Sequence, residues 1–240
     1  MRCAHVQVVS EGTLTPNYKI MVFCATARAA GFLAPFFRAA GLPGVMEIHS
    51  RMSQPARTRT STEFRDAEGG VVLFTSDVSA RGVDYPGTTL VVQAGMPDSR
   101  ETYVHRLGRT ARAGLAGKGL LLLSGDERRF LRQVQDLPIE TAELGPLPAA
   151  GEVQWRDAVD TSMAAVRKDK DLHEKAERCY GAWLGYMNGQ CKALGWDKAR
   201  LVAEAADYSR SLGLREVPAL PKRTIGKMGL KGVPGLRIEP

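Results

Sequence analysis

A histidine and two arginines, His105, Arg109 and Arg112, recur at intervals of four and three residues in YVHRLGRTARAG, residues 103–114. On a helix that spacing places all three on one face. Arginine presents a planar fork of donors that matches paired phosphate oxygens, so the face suits a polyphosphate or a nucleic-acid backbone. Glu101, three residues after Asp98, resembles a capping box that opens the helix, and Gly114 reads as its C-cap. Gly108 in the helix interior costs about 1 kcal/mol relative to alanine, which close packing must offset. Arg106 points elsewhere, and a solvated basic face accounts for it.

Three further segments offer groups of the same kind. TSDVSARGVDYPG, residues 75–87, follows an apolar run and brings the Thr75 and Ser76 hydroxyls, Asp77, Arg81 and Asp84 into one short loop. Gly82 permits close backbone approach or a positive φ there. Ion pairing between Arg81 and an aspartate is expected, and a structural salt bridge in a tight turn explains the same residues. HSRMSQPARTR, residues 49–59, reads as a helix start, with Ser53 as N-cap, Pro55 in the first turn, and Gln54 and Arg57 one turn apart. Helix N-termini accept phosphates. VFCAT, residues 22–26, sets the Thr26 hydroxyl just beyond a strand.

Five short apolar runs can position these segments: residues 18–24, 45–49, 71–76, 89–95 and 119–124. They are continuous rather than alternating, as strands buried on both faces of a parallel sheet are. Helical stretches lie between them, and Pro35 inside the first predicts a kink or a later helix start. The alternation predicts an α/β domain, a parallel sheet flanked by helices, through about residue 137. Ligands of such sheets bind beyond the carboxyl ends of the strands. Residues 138–151, rich in Pro and Gly, read as a connector. Residues 152–214 read as a mainly α-helical extension, with Tyr180, Trp183, Leu184, Met187 and Cys191 at helical spacing. Asp197 is a candidate N-cap ahead of Leu201, Ala205 and Tyr208. Such stripes more often pack against a core than stack on bases. Residues 215–240 hold six basic and two acidic residues among many Gly and Pro, and read as an irregular basic tail.

Composition sets the class. A hydrophobic content of 44% over 240 residues supports a packed core. The net charge of +7 favours an anionic partner, nucleic acid first, although a basic protein without a polyanion fits the charge equally. Cys3, Cys24, Cys179 and Cys191 show no C-x-x-C pairing, so structural zinc is not expected and no metal ligand is assigned. Cys24 is expected as a buried thiol, and a reducing compartment fits. No apolar run approaches the roughly 20 residues of a membrane span, and the first 16 residues lack a signal-peptide core.

In this order, each at a strand end, the four segments resemble the C-terminal RecA-like domain of the DEAD-box ATP-dependent RNA helicases of superfamily 2. VFCAT is similar to family motif IV, Gln54-Pro-Ala-Arg57 to the Q-x-x-R motif, Ser76–Asp84 to motif V and His105–Arg112 to motif VI. Two positions depart from the pattern. Ser76 stands where many members have Thr, which keeps the hydroxyl, and Ala111 stands where many have Gly, which is expected to favour the helix. CYGAWLGYMNGQ and IGKMGLKGVPGLR resemble the C-terminal extension of plant and fungal organellar DEAD-box RNA chaperones. The resemblance covers nearly all of the chain beyond residues 1–17, which stand where a linker from an N-terminal region would lie.

The resemblance implies roles. Arg109 and Arg112 would reach the ATP phosphates across an interdomain cleft, Arg112 as the arginine finger. His105 would couple the nucleotide and RNA sites, and Asp84 would contact the ribose. Thr26, Gln54, Arg57, Ser76, Arg81 and Gly82 would meet the RNA sugar–phosphate backbone, which positions without reading sequence. ATP and Mg would be held mainly by an N-terminal RecA-like domain, a partner in cis or in trans. Neither G-x-x-x-x-G-K-[ST] nor a D-E-A-D run occurs in the 240 residues, and GLAGKG at 114–119 fails on spacing. The chain alone is therefore expected to lack ATPase activity. The alternatives are a stand-alone RNA-binding module and a fragment that docks on another helicase. A chloroplast or mitochondrion is implied by the extension, and nucleus or cytoplasm fits the remainder.

Overall fold

Lys19–Cys24 forms a strand, β1, buried along all six residues in this computed structural model. Residues 17–79, 83–111, 117–141 and 149–239 are described. After β1 come α1 (Ala27–Ala39), β2 (Val45–Ile48), α2 (Gln54–Asp66), β3 (Val71–Thr75), β4 (Leu90–Ala94), α3 (Arg100–Leu107) and β5 (Lys118–Leu122). The five strands form one parallel sheet in the order β2-β3-β1-β4-β5. All five apolar runs are strands, as expected.

The period of two along β1 divides the core. Ile20, Val22 and Cys24 face α1, with Phe32, Phe36 and Phe37. Met21 and Phe23 face the other way, into a smaller cluster with Phe64 of α2 and Tyr85. Lys19 begins the strand, and its buried ammonium donates to the carbonyls of Arg65 and Ala67 at 2.9 and 2.8 Å, capping the end of α2. Helix α1 does not start late. Thr26 caps it, and it runs through Pro35. Its buried Ala29, Ala30, Phe32, Leu33, Phe36 and Phe37 outweigh the single backbone bond that proline removes.

The extension contributes α4 (Ala149–Lys168), α5 (Lys170–Leu194) and α6 (Lys198–Ser211). Asp169 and Asp197 cap α5 and α6, and Gly195, in the left-handed region at φ 69°, ends α5. Tyr180, Leu184, Met187 and Cys191 are buried in the cluster that contains Cys24 and the α1 phenylalanines, so extension and sheet share one core. Ser162 of α4 donates to the Phe36 carbonyl at 2.8 Å. Trp183 stacks on Tyr208 at 4.5 Å. The basic tail is mostly without regular structure but carries β6 (Ala219–Leu220), α7 (Lys222–Lys227) and β7 (Arg237–Ile238), and it buries Leu220, Ile225 and Leu230. Among the described residues no helix is long and apolar enough to cross a membrane.

Candidate functional site

In a parallel sheet every strand delivers its carboxyl end to the same edge. Thr26 follows β1, the His49–Arg57 segment follows β2, Ser76 and Asp77 follow β3, and the turn after β4 leads into α3 with His105. One edge therefore collects all four segments.

Two of them present polar groups outward. Thr26 is extended at φ −137°, and its Oγ accepts the Ala29 N–H at 3.0 Å. Ser53 caps α2 as expected, accepting the Ala56 N–H at 3.4 Å. Arg57 donates to Gln54 Oε1 at 2.6 Å, so the two side chains predicted to share a face are bonded to each other. The Arg57 Nε is buried without a hydrogen-bond partner. His49 shapes the approach to this helix, its Nδ1 accepting the Arg51 N–H at 3.3 Å. The two hydroxyls at the end of β3 are both buried. Thr75, the last residue of the strand, donates its Oγ1 proton to the Ile48 carbonyl at 2.7 Å, and Ser76 follows it at 8% exposure. Thr75 therefore serves the fold.

The segment that opened the sequence reading is built differently from the single helical face expected. Helix α3 ends at Leu107, and Gly108 is its C-cap rather than an interior residue, its N–H bonding the Val104 carbonyl at 2.8 Å. Ser99, not Asp98, is the N-cap and accepts the Thr102 N–H at 3.2 Å. Glycine's poor helix propensity favours termination there. His105 lies in the last turn, and Arg109 lies beyond it. Arg109 folds back, its Nε donating to the His105 carbonyl at 3.3 Å and its Nη1 to the Val83 carbonyl. That second bond brings Arg109 beside exposed Asp84, joining the loop after β3 to the segment after α3. Thr110 reinforces the joint by donating to the Thr88 carbonyl at 2.5 Å. Ala111 adopts φ 55°, a left-handed residue rather than a helical one.

Arg106 is the residue the sequence reading missed. A solvated position was expected, but the side chain is 2% exposed. Its Nε and Nη2 meet the two Asp77 carboxylate oxygens at 2.7 and 3.1 Å. Its guanidinium carbon sits 5.6 Å from the Phe23 ring centre. Asp77 pairs with Arg106; the expected pairing of Arg81 with an aspartate falls on a residue outside the described ones. A signal was available, because Tyr103 and Arg106 are one turn apart and the apolar member fixes that face inward. Arg81, Gly82 and Arg112 lie outside the described residues, as does the proposed C-cap Gly114. Among the described residues no group of three or more His, Cys, Asp or Glu could hold a metal ion.

The helicase conserved C-terminal domain family matches residues 4–114, which defines the class of the α/β part. The DEAD-box ATP-dependent RNA helicase 31 of Oryza sativa subsp. japonica is 49% identical over 224 residues, 93% of this chain and 39% of the relative. The helicase of the same name from Arabidopsis thaliana is 49% identical over 223 residues, 93% of this chain and 30% of the relative. The ATP-dependent RNA helicase MSS116, mitochondrial, of Phaeosphaeria nodorum is 45% identical over 225 residues, 92% of this chain and 39% of the relative. Mss116p lacking its NTE and C-tail, bound to ssRNA and AMP-PNP, has a similar fold, with TM-score 0.75 at 24% identity over 99% of this chain and 48% of that one. So does Mss116p helicase domain 2 bound to an RNA duplex, with TM-score 0.74 at 24% identity over 99% of this chain and 93% of that one. The chain belongs to the DEAD-box RNA helicases, as their C-terminal RecA-like part with its helical extension. It spans 30% to 39% of the length of these three relatives.

Proposed function

We propose that this chain is the second RecA-like half of an ATP-dependent RNA helicase that separates or remodels RNA duplexes. Thr26, Gln54, Arg57 and Ser76, with Arg81 and Gly82, hold the RNA sugar–phosphate backbone. Asp84 binds the nucleotide ribose, Arg109 and Arg112 meet its phosphates, and His105 stands between the two sites. The observation that carries the reading is the Arg109–Val83 bond, which sets a guanidinium against the backbone next to Asp84 on the edge that also presents the Gln54–Arg57 pair. A cation and a carboxylate so placed fit the phosphate and ribose ends of a nucleotide. ATP, when bound, supplies the phosphoryl group that is transferred to water. These residues orient it and offset the charge that gathers on the phosphate oxygens. A P-loop lysine and Mg-holding carboxylates come from an N-terminal RecA-like domain in cis or in trans. A mitochondrial or chloroplast destination is the finer reading, supported by a relative whose name is mitochondrial.

ATP turnover tests the assignment. The chain alone is expected to hydrolyse no ATP. With an N-terminal RecA-like domain, RNA-stimulated turnover is expected, and Arg112→Ala should lower kcat by about 10³-fold or more with RNA affinity retained. A variant with near-normal kcat sinks the finger assignment. The RNA affinity of the chain should fall steeply with salt, because phosphate contacts release counterions. A slope near zero would remove the RNA site.

A further inference from the structure

One side chain of the extension reaches the turn that launches α3. Tyr186, in the C-terminal half of α5, donates its hydroxyl proton to the Met96 carbonyl at 2.7 Å. Met96 is buried in the turn between β4 and α3, directly after Gly95 at φ 92°. Its N–H is held by Glu127 Oε1 at 3.0 Å, while Glu127 Oε2 accepts the Ser124 N–H at 2.8 Å. Both polar groups of the Met96 backbone are thus bonded to residues outside the turn. Three residues later Ser99 caps α3, which carries His105 and the buried Arg106. Tyr186 lies close enough to Arg106, Asp77, Asp98 and Glu127 for their charges to act on its hydroxyl. The extension grips the neighbouring turn as well: Trp196 Nε1 donates to Asp126 Oδ2 at 3.1 Å, joined there by Arg200 at 2.5 Å. A helix that served only to cover apolar surface needs no hydroxyl aimed at this carbonyl.

We infer that Tyr186 is a positioning residue: by bonding the Met96 carbonyl, the extension sets the placement of α3 and hence of His105 and Arg109. The inference rests on the proposed function for what those two residues do, but not for the contact itself. The turn from Met96 to the Ser99 cap is short, so a shift at Met96 reaches the helix with little slack. Groups that act on a bound phosphate lose effect when misplaced by about 1 Å.

Tyr186→Phe keeps the ring and its packing and removes only the hydroxyl. In this chain, amide hydrogen exchange across residues 100–109 should accelerate roughly tenfold while α1 is unchanged. Unchanged exchange at residues 100–109 overturns the inference. In a complete helicase containing this chain, Tyr186→Phe should lower kcat for RNA-stimulated ATP hydrolysis roughly 3- to 10-fold, with KM for ATP and RNA affinity held within about twofold. Leu201→Ala is the control, since Leu201 is a fully buried residue of the shared core whose side chain has no polar group to bond the Met96 carbonyl. At a temperature where both variants are folded, an equal loss of kcat in the two means that only stability was changed, and overturns the inference. A wild-type helicase without RNA-stimulated turnover counts against the proposed function instead, and the exchange measurement still decides Tyr186.

Discussion

Ala111 carries a positive φ of 55° in a backbone conformation that L-residues other than glycine enter at a cost of roughly 1–2 kcal/mol. Alanine suits a continuous helix; with the helix ended at Leu107, the same alanine is strained. Ala111→Gly should therefore raise stability by about 1 kcal/mol, read as a shift in the urea midpoint at constant slope. A lower midpoint would mean that the left-handed conformation is not kept in solution. Thr75 and Ser76 make the same point in milder form. Adjacent hydroxyls are equivalent in a sequence, and only the β3 pleat decides that Thr75 turns inward to the Ile48 carbonyl.

Elements were legible where burial imposes an unbroken pattern. The inner strands β1, β3 and β4 read directly, because strands covered on both faces are largely apolar, and the partly buried edge strands β2 and β5 still carry short apolar runs. The caps Ser53 and Asp197 were legible, since a hydroxyl or carboxylate before a helix has a local role, whereas Thr26 reads only as a hydroxyl beyond a strand and proves to cap α1. The end of α3 was not, because Gly108 fits either a packed helix interior or a cap. The Asp77–Arg106 pair was not either, because it joins a turn after β3 to a helix after β4, and that neighbourhood exists only once the sheet order is known. Asp77→Ala would leave the buried Arg106 guanidinium, whose Nη1 is already without a partner, facing an apolar ring. Loss of one partner of a fully buried pair costs about 3–5 kcal/mol. Asp77 is half exposed, so about 2 kcal/mol is the expected loss, measured by urea denaturation. A cost below about 0.5 kcal/mol would show that water replaces the carboxylate.

At the scale of the molecule, the shared core fixes a response to alkali. Burial pushes the Cys24 thiol up to about 12, and burial likewise pushes Cys179 up to about 12, from an ordinary 9.0. Burial also raises Tyr186 to about 12 from 10.0. The unfolded chain releases the thiol protons near pH 9 while the folded chain keeps them. Between about pH 9 and 12 the unfolded state therefore binds fewer protons, and stability falls as pH rises. Below that range the contribution is fully present. The urea midpoint should drop progressively above about pH 9, and a Cys24→Ala, Cys179→Ala double variant should drop less steeply. Parallel curves for variant and wild type would show that the thiols are not kept protonated by folding.

The continuity of that core has one more consequence. Phe32, Phe36 and Phe37 of α1 find their cover in residues that lie after position 149, among them Tyr180, Leu184 and Met187. A polypeptide severed between Thr141 and Ala149 thus keeps the interface that binds its two pieces, and it travels as one particle. Synthesised as separate molecules, the pieces are complementary fragments: each exposes the apolar surface that the other is shaped to cover.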